Sequence, residues 1–165
     1  MKTITFGTAK TPFGLMGFGI TKKGLCRIYF PEDAPFEDSF KRDFPRSNII
    51  HDEKAIPHIR QQFQEYFSGN RKSFDIKLDL HAPPFYTKAL KEVMKVPFGQ
   101  TATYQDIAVR SGHPKAVRAA GSANANNPLP IVIPCHRIVK TGGNLGGYGG
   151  KLERKVYLLE LENSL

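Results

Sequence analysis

A chain of 165 residues, 40% hydrophobic and 24% charged, can bury the core of one ordinary domain or of two small ones. No apolar run reaches the roughly 20 residues that a membrane-spanning helix needs, and the opening Met1-Lys2-Thr3-Ile4-Thr5-Phe6 lacks the apolar stretch of a secretory signal, so an intracellular protein is expected. A formal charge of +9 suits a polyanionic partner through counterion release, and two isolated cysteines, Cys26 and Cys135, exclude a disulfide scaffold.

Residues 3–9, 13–20 and 25–30 are rich in β-forming side chains and predict three strands, with Thr21-Lys22-Lys23-Gly24 as a turn. Residues 31–48 carry Pro, Asp, Glu and Ser with little periodicity and read as a loop. After Pro57, the spacing of Ile59, Phe63 and Phe67 predicts a helix ended by Ser68-Gly69-Asn70. Residues 74–80 then alternate, with Phe74, Ile76, Leu78 and Leu80 on one side and Asp75, Lys77 and Asp79 on the other, the pattern of a half-buried strand. His81-Ala82-Pro83-Pro84 breaks that pattern and marks the expected boundary between domains 1–80 and 81–165.

Beyond the boundary the texture becomes helical. Leu90, Val93 and Met94 place a helix over 85–96, closed by Pro97-Phe98-Gly99. Residues 104–110 and the alanine-rich 115–125, joined by Ser111-Gly112-His113-Pro114, have the lengths and turn chemistry of a helix-turn-helix. Residues 126–130 are irregular, Ile131-Val132-Ile133 reads as a short buried extended run, and glycine-rich 142–150 precedes a final helix over 152–162. The expected class is α+β, a small N-terminal α/β module followed by a mainly helical C-terminal domain.

The chemistry concentrates at Pro134-Cys135-His136-Arg137. A free cysteine often packs as a small hydrophobe, but His and Arg are poor choices for a closed core, and positive charge or a paired base favours a thiolate. Consecutive side chains of an extended segment point to opposite faces, so Cys135 and His136 are expected to communicate through a bridging water. The five histidines lack zinc-finger or HExxH spacing, and no metal is expected.

"IPCHRIV", preceded by "NPLP" and followed by "GGYGGKLERK", resembles the active-site signature of the O6-alkylguanine-DNA alkyltransferases, the methylated-DNA–protein-cysteine methyltransferases. The resemblance covers residues 84–162 and extends more loosely to "TPFGLMGFGITKKGLCRIYF". It implies a ribonuclease-H-like N-terminal module. It also implies direct, irreversible, single-use transfer of an alkyl group from guanine O6 to Cys135, with O4-alkylthymine as a further substrate to test. His136 would take the thiol proton through a water, and Glu162 would orient the histidine, with Glu160 as its neighbouring competitor.

The same resemblance places the second helix of the helix-turn-helix in the minor groove, with Ala119 and Ser122 among its DNA-facing residues. Arg118 would fill the gap left by an extruded nucleotide, and Tyr104 would crowd the phosphate and line the base pocket. Extrusion is needed because a thiolate cannot reach an alkyl carbon inside a paired duplex. Asn127 would tie the helix-turn-helix to the active-site loop, and Ile138, Tyr148, Gly149 and Gly150 would hold the base. Thr21 and Lys22 before a lone Cys26 fit poorly with the N-terminal zinc site of some relatives. The implied partner is double-stranded DNA containing alkylated guanine, with no cofactor and no membrane, and the implied protein is a monomer of the cytoplasm, or of the nucleus in a eukaryote. Two rivals remain, a lesion sensor that binds without transferring and a thiol hydrolase or transferase that turns over small molecules.

Overall fold

Runs of β-branched and aromatic residues pair at the N-terminus as the strand pattern anticipates. Strands β1 (Lys2–Thr11), β2 (Gly14–Thr21) and β3 (Gly24–Tyr29) form an antiparallel meander. The turn into β3 requires glycine at position 24, whose φ is +145° and whose Cβ, if present, would lie 2.3 Å from the Lys77 carbonyl oxygen. The computed structural model describes residues 1–149 and 151–165. The chain divides into two units, Met1–Leu80 and His81–Leu165.

The stretch 31–48 is not the loop its composition suggests. After a 3₁₀ turn (Pro31–Asp33) it forms helix α1 (Phe36–Asp43) and the start of strand β4 (Ser47–His51), which pairs parallel to β1 and completes a sheet of order β3-β2-β1-β4. The cause is aromatic packing onto bare backbone. Phe36 and Phe40, four residues apart, lie over Gly17 and Gly19, where a Cβ would come within 2.8 and 2.3 Å of their rings. Ile4, Phe6, Cys26, Tyr29, Phe36 and Phe40 form one buried cluster, so Cys26 is core. Helix α2 (Pro57–Phe67) buries Ile59, Phe63 and Tyr66, with the Phe63 ring 4.7 Å from Phe18.

Residues 74–80 do not form a full strand. Only Leu78 bridges to β3, through Leu25 N–H donating to the Lys77 carbonyl (2.8 Å) and Asp79 N–H donating to the Leu25 carbonyl (2.8 Å). Asp79, expected on the wet side, is 7% exposed. It is held there by a hydrogen bond from the Thr21 hydroxyl (2.6 Å) and by the Lys2 ammonium at 3.5 Å. Partnering makes the burial tolerable.

In the second unit, helix α3 (Pro84–Val93) stops short of the expected end, leaving Met94 43% exposed. Helix α4 (Tyr104–Arg110) starts on a capping box: Asp106 N–H donates to the Thr103 hydroxyl (3.0 Å) and Thr103 N–H to the Asp106 carboxylate (2.9 Å). It ends in a Schellman motif, with His113 N–H on the Ala108 carbonyl, Gly112 N–H on Val109, and Gly112 at φ +82°. Helix α5 (Val117–Ala125) follows, two residues later than expected, and helix α6 (Leu152–Leu161) closes the unit. A parallel pair, β5 (Ala102–Thr103) with β6 (Ile138–Val139), was not foreseen. Nor was the conformation before the cysteine: Ile131 has φ +76°, Ile131 and Val132 form a turn that bridges Ile133 back to Pro130, and Cys135–Arg137 is a 3₁₀ turn rather than extended chain. The resulting class is α+β. Among the described residues no helix is long and apolar enough to cross a membrane.

Candidate active site

Cys135 lies at the start of its 3₁₀ turn, 4% exposed, with its N–H donating to the Ile133 carbonyl (2.7 Å). Burial pushes its thiol up to about 11. A hydrogen bond from Asn127, the charge of Lys155, and the N–H groups of Cys135 and His136 oppose that rise. At neutral pH this is a thiol in need of a base. Asn127 also donates from Nδ2 to the Ile133 carbonyl (2.9 Å) and accepts at Oδ1 from Leu129 N–H (2.9 Å). It thereby clamps the turn that carries the cysteine.

His136 is fully buried, and its Nε2 is 2.8 Å from Glu162 Oε2. Its Nδ1 has no hydrogen-bond partner in the protein. Burial lowers its pKa below the ordinary 6.5 against the pull of Glu162, with Arg137 and Lys155 adding to the lowering, so the ring is neutral at pH 7. The pairing fixes which nitrogen carries the proton: with Nε2–H donated to the carboxylate, Nδ1 keeps a free lone pair. Glu160 is exposed, whereas Glu162, the cap residue of α6, is buried against the histidine.

Sequence reasoning gave Arg137 a different role and missed two further residues, Lys155 and Asn124. Arg137 forks onto the same carboxylate, from Nε to Oε1 (2.8 Å) and from Nη2 to Oε2 (3.0 Å), and donates from Nη1 to the Val96 carbonyl (2.7 Å). A bidentate arginine offsets the cost of burying a carboxylate in a dry interior. Lys155 is buried, donating from Nζ to the Ile138 carbonyl (2.6 Å) and the Gly147 carbonyl (3.2 Å), and burial depresses it to about 8. Asn124 is buried and donates from Nδ2 to the Cys135 carbonyl (3.1 Å). Arg137 was expected to favour the thiolate and instead serves Glu162, while Lys155 was visible only as a charge beside an apolar run, a weak signal of burial. Nothing local marks Asn124.

Beside the turn lies a cavity of about 840 Å³, lined among others by Tyr104, Arg118, Asn124, Tyr148 and Gly149. Tyr104, at the first position of α4, is half-buried, and burial raises the pKa of its phenol. The glycine loop presses on it: a Cβ at Gly146 (φ +77°) would stand 2.8 Å from Tyr104 Oη. The buried Tyr148 ring meets the His136 ring edge-on at 6.4 Å. On α5, Arg118, Ser122 and Ala125 share the exposed face at i, i+4 and i+7 spacing, with Ala119 half-buried beside them. Ile138 is buried, its carbonyl already receiving Lys155. Gly150 lies outside the described residues. Among the described residues no group of three or more His, Cys, Asp or Glu side chains could hold a metal ion.

A buried thiol beside a buried neutral histidine, in a helical unit whose α4–α5 pair is a helix-turn-helix and whose α5 lines a cavity, defines a class: thiol proteins built on a helix-turn-helix. Residues 84–164 match the family model described as the DNA binding domain of 6-O-methylguanine DNA methyltransferase, and residues 4–80 match that of its ribonuclease-like domain. The chain belongs to the 6-O-methylguanine DNA methyltransferase family. It is 37% identical to the constitutive methylated-DNA–protein-cysteine methyltransferase of Bacillus subtilis, over 95% of this chain and 94% of the relative. It is 42% identical to the corresponding protein of Methanosarcina barkeri, over 94% of each. The solved structure of a Mycobacterium tuberculosis relative in complex with DNA superposes with a TM-score of 0.86 at 34% identity, covering 97% of this chain and 93% of that one.

Proposed function

We propose that this protein repairs DNA by moving the alkyl group of an O6-alkylguanine directly and irreversibly onto Cys135, once per molecule. The observation that carries the reading is the Glu162–His136 pair beside the buried thiol, with Nδ1 left as the base. The thiol proton passes to His136 Nδ1 through a bridging water. The sulfur forms a bond to the alkyl carbon as the carbon–O6 bond breaks. The displaced guanine takes up the proton, so the charge balances. Glu162 stabilises the transient imidazolium. A thioether offers no easy leaving path, which makes the step single-use.

DNA delivery rests on α5. Small residues along its exposed face admit a close approach to a duplex without reading bases, which suits a lesion in any sequence. In this reading Arg118 at its start occupies the gap of an extruded nucleotide, Tyr104 presses the backbone and lines the pocket, and Tyr148 and Gly149 cover the base; all four line the cavity. Every group of the relay comes from one unit of one chain, which supports a monomer, working where the DNA is: the cytoplasm, or the nucleus of a eukaryotic cell.

The test is a duplex carrying O6-methylguanine labelled in the methyl group. Label should appear on the peptide containing Cys135 and saturate at one per protein, and Cys135→Ser should abolish transfer while leaving duplex affinity unchanged. Binding without label would instead favour a lesion sensor, and continued turnover would rule out the single-use mechanism.

A further inference from the structure

The cavity beside the thiol turn has two walls. Helix α5 lines one, from Val117 to Ala125, and the segment 140–152 lines the other. The second wall carries Lys140 and Lys151, both exposed, to which the family resemblance gives no role. Among the described residues neither ammonium meets a carboxylate, and no Asp or Glu lines the cavity. With Arg118 they set three cations around one cavity of about 840 Å³, a field that favours anions.

Both lysines hang from fixed backbone. Lys140 follows β6, and its N–H donates to the Asn144 carbonyl (2.8 Å), closing a turn through Gly142 and Gly143 at φ +93° and +94°. The Lys151 N–H donates to the Tyr148 carbonyl (2.7 Å), and Lys151 is the N-cap residue of α6, where its side chain makes no cap hydrogen bond. Ser, Thr, Asp or Asn serves that position better, and a cation there opposes the helix dipole. Helix stability therefore does not account for Lys151, and a residue that breaks a local rule without a local gain points to function.

A duplex resting on the exposed face of α5 meets Arg118 and Ser122. The lysines stand on the other wall, so docking of an intact duplex leaves them idle. A nucleotide rotated into the cavity is different, because it draws its two flanking phosphates, each negatively charged, in towards both walls. We propose that Lys140 and Lys151 bind the phosphates flanking the extruded nucleotide, and so hold the damaged strand in its rotated state. The proposal rests on the alkyl-transfer reading and deepens it: recognition of the extruded state becomes partly electrostatic and independent of the base.

The test is a chemical double-mutant cycle on single-turnover transfer from an O6-methylguanine duplex, whose two linkages flanking the lesion are either natural phosphates or uncharged methylphosphonates. Lys140→Ser and Lys151→Ser should each slow transfer from the natural duplex about threefold, and the double variant about tenfold, the effect of exposed ion pairs. Wild type should lose about as much on the uncharged linkages, and the double variant should lose nothing further there. Affinity for undamaged duplex should be unchanged, and the salt dependence of transfer should flatten, by about one in log–log slope for each lysine lost. The urea midpoint of Lys151→Ser should be no lower than that of wild type, since serine caps a helix better than lysine. Slow transfer in that variant is then not the result of a damaged fold. Losses that multiply across the cycle would overturn the proposal, as would a wild-type rate in the double variant. An equal loss of affinity for undamaged duplex would also overturn it, by making the lysines general docking cations. A wild-type chain that takes no label sinks the function and this proposal together. Labelled wild type with multiplying losses sinks the lysine clamp alone.

Discussion

In the unit Met1–Leu80 the interior is aromatic, with Phe18, Phe40, Phe63 and Tyr66 fully buried and few polar groups among them. The unit His81–Leu165 instead buries His136, Arg137, Arg154, Lys155 and Glu162. Burying apolar area is favourable at roughly 25 cal/mol per Å², whereas a buried ion pair often does no better than a hydrophobic isostere. The contrast separates a unit whose interior serves stability from one whose interior serves chemistry. Where charges are retained in a dry core, with Glu162 meeting both His136 and Arg137, the arrangement gives up packing for what the proposed mechanism makes a reactive group.

The contrast can be broken most directly at Glu162. Replacing it by Gln leaves Arg137 as a buried cation without its counter-charge and should destabilise the protein by about 3–5 kcal/mol in urea unfolding, with transfer slowed in the same variant. Unchanged stability would mean that the buried ions are incidental to the second unit. A smaller change tests the other side. Ile4→Val, in the fully buried N-terminal core, should lower stability by about 0.5–1.5 kcal/mol and leave the transfer rate of the folded protein untouched. A slowed rate there would erase the division of labour.

The finest test is pH. His136 has a folded pKa below 6.5, so in the window just under 6.5 the unfolded chain binds a proton that the folded chain does not. Stability therefore rises with pH through that window and is lost as pH falls through it. The acid limb of transfer should accordingly have its midpoint below 6.5. Above neutrality the rate should stay flat, since His136 takes the thiol proton. A rise of roughly tenfold per pH unit towards the thiol's raised pKa would mean that Cys135 ionises unaided.

Part of this was legible in the residues. The Thr103–Asp106 capping box at the start of helix α4 went unread, but that helix announces its end through Gly112 in the turn Ser111-Gly112-His113-Pro114, a role that is local and therefore readable. Helix α1 does not, because its Pro- and Asp-rich surroundings resemble a loop and its stability comes from Phe36 and Phe40 seated on Gly17 and Gly19, some twenty residues away. Residues 74–80 alternate as a strand should, but they find a partner only at Leu25, and Asp79 turns inward because Lys2 and Thr21 await it. At the site, Cys135 and His136 stood out by composition, and Glu162 came only through the family resemblance, with Glu160 as its competitor. Arg137 looked like a neighbour of the thiol, yet its guanidinium is committed to Glu162.

By itself the sequence determined the class of fold, the helix-turn-helix and the thiol, since each rests on periodicity, turn chemistry or an uncommon cluster of reactive residues along a short stretch of chain. Tertiary structure alone decided that the thiol is buried and protonated, that its histidine is neutral with Nδ1 free, and that Asn124 on α5 holds the Cys135 carbonyl. The physical reason is that burial and hydrogen-bond direction depend on what packs from distant positions. Glu162 lies 26 residues from His136 in the chain and 2.8 Å from it in space.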